Sequence, residues 1–130
     1  MKRYLLDSSF VIDLVNEVDE RRAGPAVAWM QRKGEASSLW MSPVTVAEVL
    51  EGAADREATK VYLAKFQWRG IDYGHAEKVA RLQSRSRLRR GENDAWQVAV
   101  AESLEAIIVG HDPAAFGRLG SGYEDHRAPA

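Results

Sequence analysis

The chain of 130 residues contains no cysteine. That excludes disulfides, thiolate metal sites and a cysteine nucleophile. Long hydrophobic runs are missing too, and no segment approaches the apolar length of a membrane span. After Met1-Lys2-Arg3 the apolar stretch is only Tyr4-Leu5-Leu6 before Asp7 interrupts it. This is too short for the core of a signal peptide, so a cytoplasmic location is expected. No GxGxxG or P-loop pattern is present, so a small-molecule phosphate enzyme would lack its usual cradle. Histidine is scarce, and His75, His111 and His126 do not fall in zinc-binding spacing. The net charge of −1 means that bulk charge does not announce a nucleic-acid binder.

What is present reads as one globular domain with a real core, at 45% hydrophobic and 28% charged residues. Helix and strand signals alternate, which favours an α/β class with a mainly parallel sheet. Tyr4 to Leu6, Leu39 to Met41 and Ala106 to Val109 read as strands. Helices are expected from Ser9 through Val15, from Pro25 to Lys33 and from Pro43 to about Ala53. Further helices are expected from Arg56 to Phe66, from Tyr73 to about Leu88 and from Asn93 or Asp94 to about Leu104. The domain is expected over 1–120, with 121–130 a loose polar tail.

Four acids stand where these elements begin or end. Asp7 closes the first strand, Glu48 lies in the helix Val44–Leu50, Asp94 opens the apolar helix Ala95–Ala101, and Asp112 follows Ile107-Ile108-Val109. In an open α/β sheet such positions converge on one edge, where ligand sites form. Gathered carboxylates repel, by roughly 4 kcal/mol for a pair about 4 Å apart at an effective dielectric of 20. Hard divalent cations bound through oxygen relieve that repulsion. Blander roles exist for each acid. Asp7, Asp94 and Asp112 can each serve only as a helix cap, and Glu48 can sit on a solvated helix face. Thr45 lies one turn before Glu48 and is expected to orient its carboxylate. Asp13 and Glu51 are reserves expected to face water.

Taken together, four segments resemble the PIN-domain nucleases, and among them the small VapC-type toxin ribonucleases of type II toxin–antitoxin pairs. These segments are Leu6-Asp7-Ser8-Ser9, Thr45 to Gly52 around Glu48, Asp94-Ala95-Trp96 with its alanine-rich continuation, and Ile107 to Asp112 followed by Phe116. The resemblance runs from about Lys2 to Leu119. It implies a three-layer α/β/α sandwich, RNA cleavage dependent on Mg²⁺ or Mn²⁺, a homodimer and a cognate antitoxin. It assigns Asp7, Glu48, Asp94 and Asp112 to the metal site, held directly or through water. Gly110 departs from the pattern, because the family commonly has threonine or serine there. The last edge strand, after Phe116, is expected to be short or missing.

Phosphodiester hydrolysis needs an activated water and neutralised phosphate charge, which two divalent ions can supply. No histidine is placed to activate Ser8 or Ser9, so these are expected to hold phosphate or water rather than to attack. Five arginines, Arg81, Arg85, Arg87, Arg89 and Arg90, follow one another without an intervening acid. On a helix Lys78, Arg81, Arg85 and Arg89 would share a face, opposite Ala76, Val79 and Ala80. Arg85 and Arg89 are expected to hold RNA phosphates beside the acids, although a solvated face is the plainer reading. Trp29, Trp40 and Trp96 belong to a core or dimer contact, and Trp68 is the one candidate for base stacking. Two alternatives keep the same fold. One is a catalytically weak RNA-binding or protein-docking module, and the other a DNA-directed nuclease.

Overall fold

The computed structural model describes residues 1–85 and 89–129. In chain order the elements are β1 (Lys2–Leu6), α1 (Ser8–Asp19), α2 (Pro25–Trp29), β2 (Ser37–Met41), α3 (Pro43–Glu51) and α4 (Arg56–Leu63). They continue with β3 (Gln67–Trp68), α5 (Tyr73–Arg85), α6 (Glu92–Leu104), β4 (Ile107–Gly110), α7 (Pro113–Phe116) and β5 (Tyr123–Asp125). A π-helical turn, Met30–Gly34, extends α2, and a 3₁₀ segment, Gly117–Gly122, joins α7 to β5. All strands run parallel in the order β3-β2-β1-β4-β5.

The two-residue period of the strands builds two cores. Tyr4, Leu6, Met41 and Val109 point to one face and pack with Phe10, Val11 and Leu14 of α1, Trp29 of α2 and Val49 of α3. Leu5 and Ile108 point to the other face, against Val98, Ala101 and Leu104 of α6 and Phe116 of α7. Val79 of α5 packs on Ala95 and Ala99, outside α6. The result is the expected three-layer α/β/α sandwich. α6 is apolar nearly all round because it is covered on both sides.

Helices α5 and α6 are antiparallel: His75, at the start of α5, reaches Ser103, near the end of α6, with 2.9 Å between Nε2 and Oγ. The end of α5 at Arg85 therefore lies beside the start of α6. The inner side of α5 is His75, Val79 and Leu82, while Ala80, expected inside, is exposed. The expected continuation to Leu88, and Arg87 of the arginine run, lie outside the described residues.

Two further expectations change. β3 gave no usable signal in sequence, being two residues long. The segment expected to be a loose tail from 121 forms β5, paired with β4 from Ile108↔Tyr123 to Gly110↔Asp125. His126 follows, buried at 2% exposure against Phe10. Arg127 forms a two-pronged ion pair with Asp13, at 2.8 Å on each prong, and His126 Nε2 lies 2.7 Å from the same carboxylate. Asp13 thus does not face water. Burial alone would raise its carboxyl, but the bonds from Arg127 and His126 override this and hold it low. Among the described residues no helix is long and apolar enough to cross a membrane.

Candidate active site

The sheet delivers the four acids to its C-terminal edge. Asp7 is the residue at which β1 becomes α1, and its amide still donates to Val109 O at 2.9 Å. Its side chain, only 5% exposed, caps α1 through Oδ2, which accepts from Ser9 N at 3.3 Å and from Ser9 Oγ at 2.7 Å. Ser9 Oγ in turn accepts from His111 N at 2.8 Å, which ties the β1–α1 junction to the β4–α7 junction. This explains Gly110. A Cβ there would stand 2.7 Å from Ser9 Oγ and 2.8 Å from Asp7 Cβ, so the room a side chain would need is already taken.

Asp112 caps α7, with Oδ1 accepting from Ala115 N at 3.1 Å. The backbone around it is held by Tyr123 of β5, whose hydroxyl accepts from Asp112 N at 3.1 Å and donates to Gly110 O at 3.2 Å. Asp94 is different. Gly91 is the cap of α6 and makes no side-chain bond there, so capping does not account for Asp94. Its carboxylate instead lies over Gly91, where an added Cβ would meet Oδ2 at 2.9 Å. Glu48, half-buried on α3, accepts from the Ser8 hydroxyl. Thr45 does not orient it. Its hydroxyl donates to Leu6 O at 2.7 Å and accepts from Gln97 Nε2 at 2.7 Å, and Gln97 Oε1 accepts from Ser42 Oγ at 2.6 Å. All three side chains are fully buried. This network locks α3 and α6 to β1 directly behind the acids. Sequence reasoning did not assign Gln97; the signal was one amide inside an otherwise apolar helix.

The acids bear on one another electrostatically. Burial raises the Glu48 carboxyl, and the charges of Asp7, Asp94 and Glu51 raise it further, against the opposing bond from Ser8. Burial likewise raises Asp94, with Asp112 and Asp7 adding to the shift and Arg90 opposing it. Asp7 is the neighbour common to both shifts.

Among the described residues no group of three or more His, Asp or Glu side chains is drawn close enough to hold a metal ion unaided. The donor chemistry nonetheless suits one. It is oxygen only, with no cysteine, and a hard ion such as Mg²⁺ is often held by one or two carboxylates with water or phosphate completing the shell. The histidines are used elsewhere: His75 with Ser103, His111 with Asp125 and His126 with Asp13.

Beside Asp94 and Asp112 opens a cavity of about 520 Å³ that Arg89, Arg90 and Arg118 also line. Arg89 lies outside any helix and pairs with Glu92 at 3.3 Å, so it does not share a helix face with Arg85. Glu51 is exposed, as expected. Trp29 is fully buried, edge-on to Tyr4 and Phe10, whereas Trp68 is 57% exposed on β3.

The PIN domain family model matches residues 4–120. Among curated proteins no sequence matches the chain significantly. Solved structures do. A toxin–antitoxin complex from Klebsiella pneumoniae superposes with a TM-score of 0.75 at 22% identity, covering 95% of this chain and 97% of that one. VapBC-1 from nontypeable Haemophilus influenzae gives 0.70 at 20% identity, covering 97% and 99%. VapBC-5 from Mycobacterium tuberculosis gives 0.61 at 23% identity, covering 98% and 100%. At these identities the likeness speaks for the fold, and the family model, which matches most of the chain, shows the family: the chain belongs to the PIN-domain family.

Proposed function

We propose that the protein is a metal-dependent endoribonuclease, the toxin of a toxin–antitoxin pair, hydrolysing RNA phosphodiester bonds with water as the nucleophile. One observation carries this reading. Four carboxylates from four separate segments are held at one sheet edge, with Glu48 and Asp94 raised by burial and by their acidic neighbours. Proteins do not maintain such repulsion without a positive counterpart. Asp7 and Asp94 would hold Mg²⁺ or Mn²⁺, with Glu48 and Asp112 contacting it directly or through water. The bound ion would lower the pKa of water and neutralise phosphate charge.

The residues of the chain have separate tasks. Ser9 fixes the Asp7 carboxylate, Ser8 fixes Glu48, and Gln97 with Thr45 sets the spacing of the two helices. Arg89 and Arg85 draw the phosphate backbone toward the acids. The similar Klebsiella pneumoniae structure is a toxin–antitoxin complex and the Mycobacterium tuberculosis one belongs to the VapBC family of toxin–antitoxin systems, and we extend that assembly to this chain as an antitoxin partner and a homodimer in the cytoplasm. The apolar side of α1 is consumed by its own core, so only Ile12 and Val18, at 41% and 44% exposure, remain on that helix for a second copy.

The wide setting of the acids favours one further reading, a catalytically weak module that binds RNA. A single experiment separates the two: cleavage of a mixed structured RNA pool, with a DNA pool alongside, in Mg²⁺ or Mn²⁺ and in EDTA. The wild type is expected to cut RNA only with metal, and Asp94→Asn to abolish cutting. RNA binding without turnover at any metal concentration selects the module, and preference for DNA selects a DNA-directed nuclease.

A further inference from the structure

A second cavity, of about 370 Å³, adjoins the one at the acids and shares Arg90 and Arg118 with it. Its wall carries five cations, Lys78, Arg81, Arg85, Arg90 and Arg118, and one acid, Glu102. Because α5 ends where α6 starts, Arg85 is at the end of α5 that faces the start of α6. Arg81 and Lys78 lie one and two turns down, toward the opposite end of the helix. The path therefore leaves the carboxylate edge and descends between α5, α6 and the 3₁₀ segment that carries Arg118.

Arg90 is the junction and is fixed in place. Its amide donates to Gln83 Oε1 at 2.9 Å, and its carbonyl accepts from Gln83 Nε2 at 2.8 Å. Its guanidinium donates to Ala115 O at 3.0 Å. Burial and the neighbouring Arg118 charge lower Arg90, against the pull of Asp94 and Glu102. Arg90 and Arg118 thus line both cavities.

We propose that this second cavity is a phosphate-binding subsite for the flank of a single-stranded RNA, threaded past Arg90 and Arg118 from the acids toward Arg81 and Lys78. This rests on the nuclease reading only for what occupies the acids. Regularly stepped cations along a groove follow a flexible backbone. The wall offers Leu82 as its one apolar lining residue and no aromatic ring, so the subsite reads charge and not base identity. Its consequence for the substrate is asymmetry: the strand is gripped on one side of the scissile phosphate, and RNAs reaching that side gain affinity with length.

The test uses the full chain in EDTA, where nothing is cut, with 5′-labelled single-stranded RNAs of increasing length read by fluorescence anisotropy. Lys78→Gln with Arg81→Gln is the main variant, since both line the second cavity and neither lines the one at the acids. It should bind the longer strands about tenfold more weakly at low salt, and its log–log salt slope should be shallower by about 0.7 for each phosphate released. Wild-type affinity should rise with length and variant affinity should not. With metal, the variant should show a raised KM on long strands with kcat kept, and unchanged cleavage of the shortest. Unchanged affinity and slope would overturn the proposal. So would a greater loss of binding to poly-glutamate than to RNA, which would assign the groove to an acidic protein segment. If the wild type binds with the expected slope yet never cuts with metal, the nuclease reading fails and the subsite stands.

Discussion

Gly110 shows how a single departure from a family pattern can have a packing reason. The sequence shows no hydroxyl at this position, and the structure shows why none fits: Ser9 Oγ and Asp7 Cβ occupy the space. Gly110→Ala should therefore destabilise the protein by about 1–3 kcal/mol, seen in urea melts, and lower cleavage by displacing Asp7. A fully stable, fully active variant would contradict the packing. Asp94 supports a different test. Its carboxyl and that of Glu48 are raised in the folded state, so the folded chain binds protons that the unfolded chain has released. That stabilisation is complete below the ordinary carboxylate range and is lost as pH rises through the raised values. In EDTA, Asp94→Asn should be as stable as the wild type or more so. The margin should grow with pH across that window and be smallest in acid. A margin independent of pH would mean that the repulsion is absent. Asp112→Asn should keep α7, since asparagine caps as well as aspartate, yet lose cleavage; retained cleavage would make Asp112 a cap alone.

At the scale of elements, strong local signals were legible and tertiary ones were not. The proline-led helices α2 and α3, the Asp-capped α4 and α7, and the apolar β1 and β4 follow from propensity and capping. β5 does not, because Gly120-Ser121-Gly122-Tyr123-Glu124 has little strand propensity of its own. It forms because Glu124 meets Lys33 and the Trp29 indole, and because Arg127 and His126 clamp Asp13 on α1. The clamp makes a prediction. Asp13→Asn should loosen β5, and its amides should exchange faster than those of β1 in hydrogen–deuterium exchange; unchanged protection would show that the ladder to β4 suffices. Glu17 was equally invisible. It is 1% exposed on an amphipathic helix and accepts from Ala26 N at 3.1 Å and Val27 N at 2.9 Å, giving α2 its start. Glu17→Ala should cost about 2–3 kcal/mol in chemical denaturation.

For the whole molecule, alternation of helices and strands sufficed for the parallel sheet, and so for Asp7 and Asp112, which follow β1 and β4 at its C-terminal edge. What it left out was how the edge is stiffened: the Ser42–Gln97–Thr45–Leu6 chain and the Tyr123 hydroxyl join residues far apart in sequence, and no local pattern marks them. If the edge holds a metal, Mg²⁺ or Mn²⁺ should stabilise the wild type against heat, by about 2.7 kcal/mol at a hundredfold excess over Kd. Asp94→Asn should gain little, and an equal gain would place the metal elsewhere.

The strand order also sets a timetable. β1 pairs with β4, and Leu6 waits for Val109 to be made. At roughly 5–20 residues per second of synthesis, that is an interval of several seconds to about twenty. Until then the Asp7 amide lacks its acceptor, Val109 O, and Ser9 lacks the amide of His111, while Asp94 is still inside the ribosome. If the proposed function holds, a half-made chain should be inactive, and those seconds would be open to an inhibitor binding the nascent protein before it could cut.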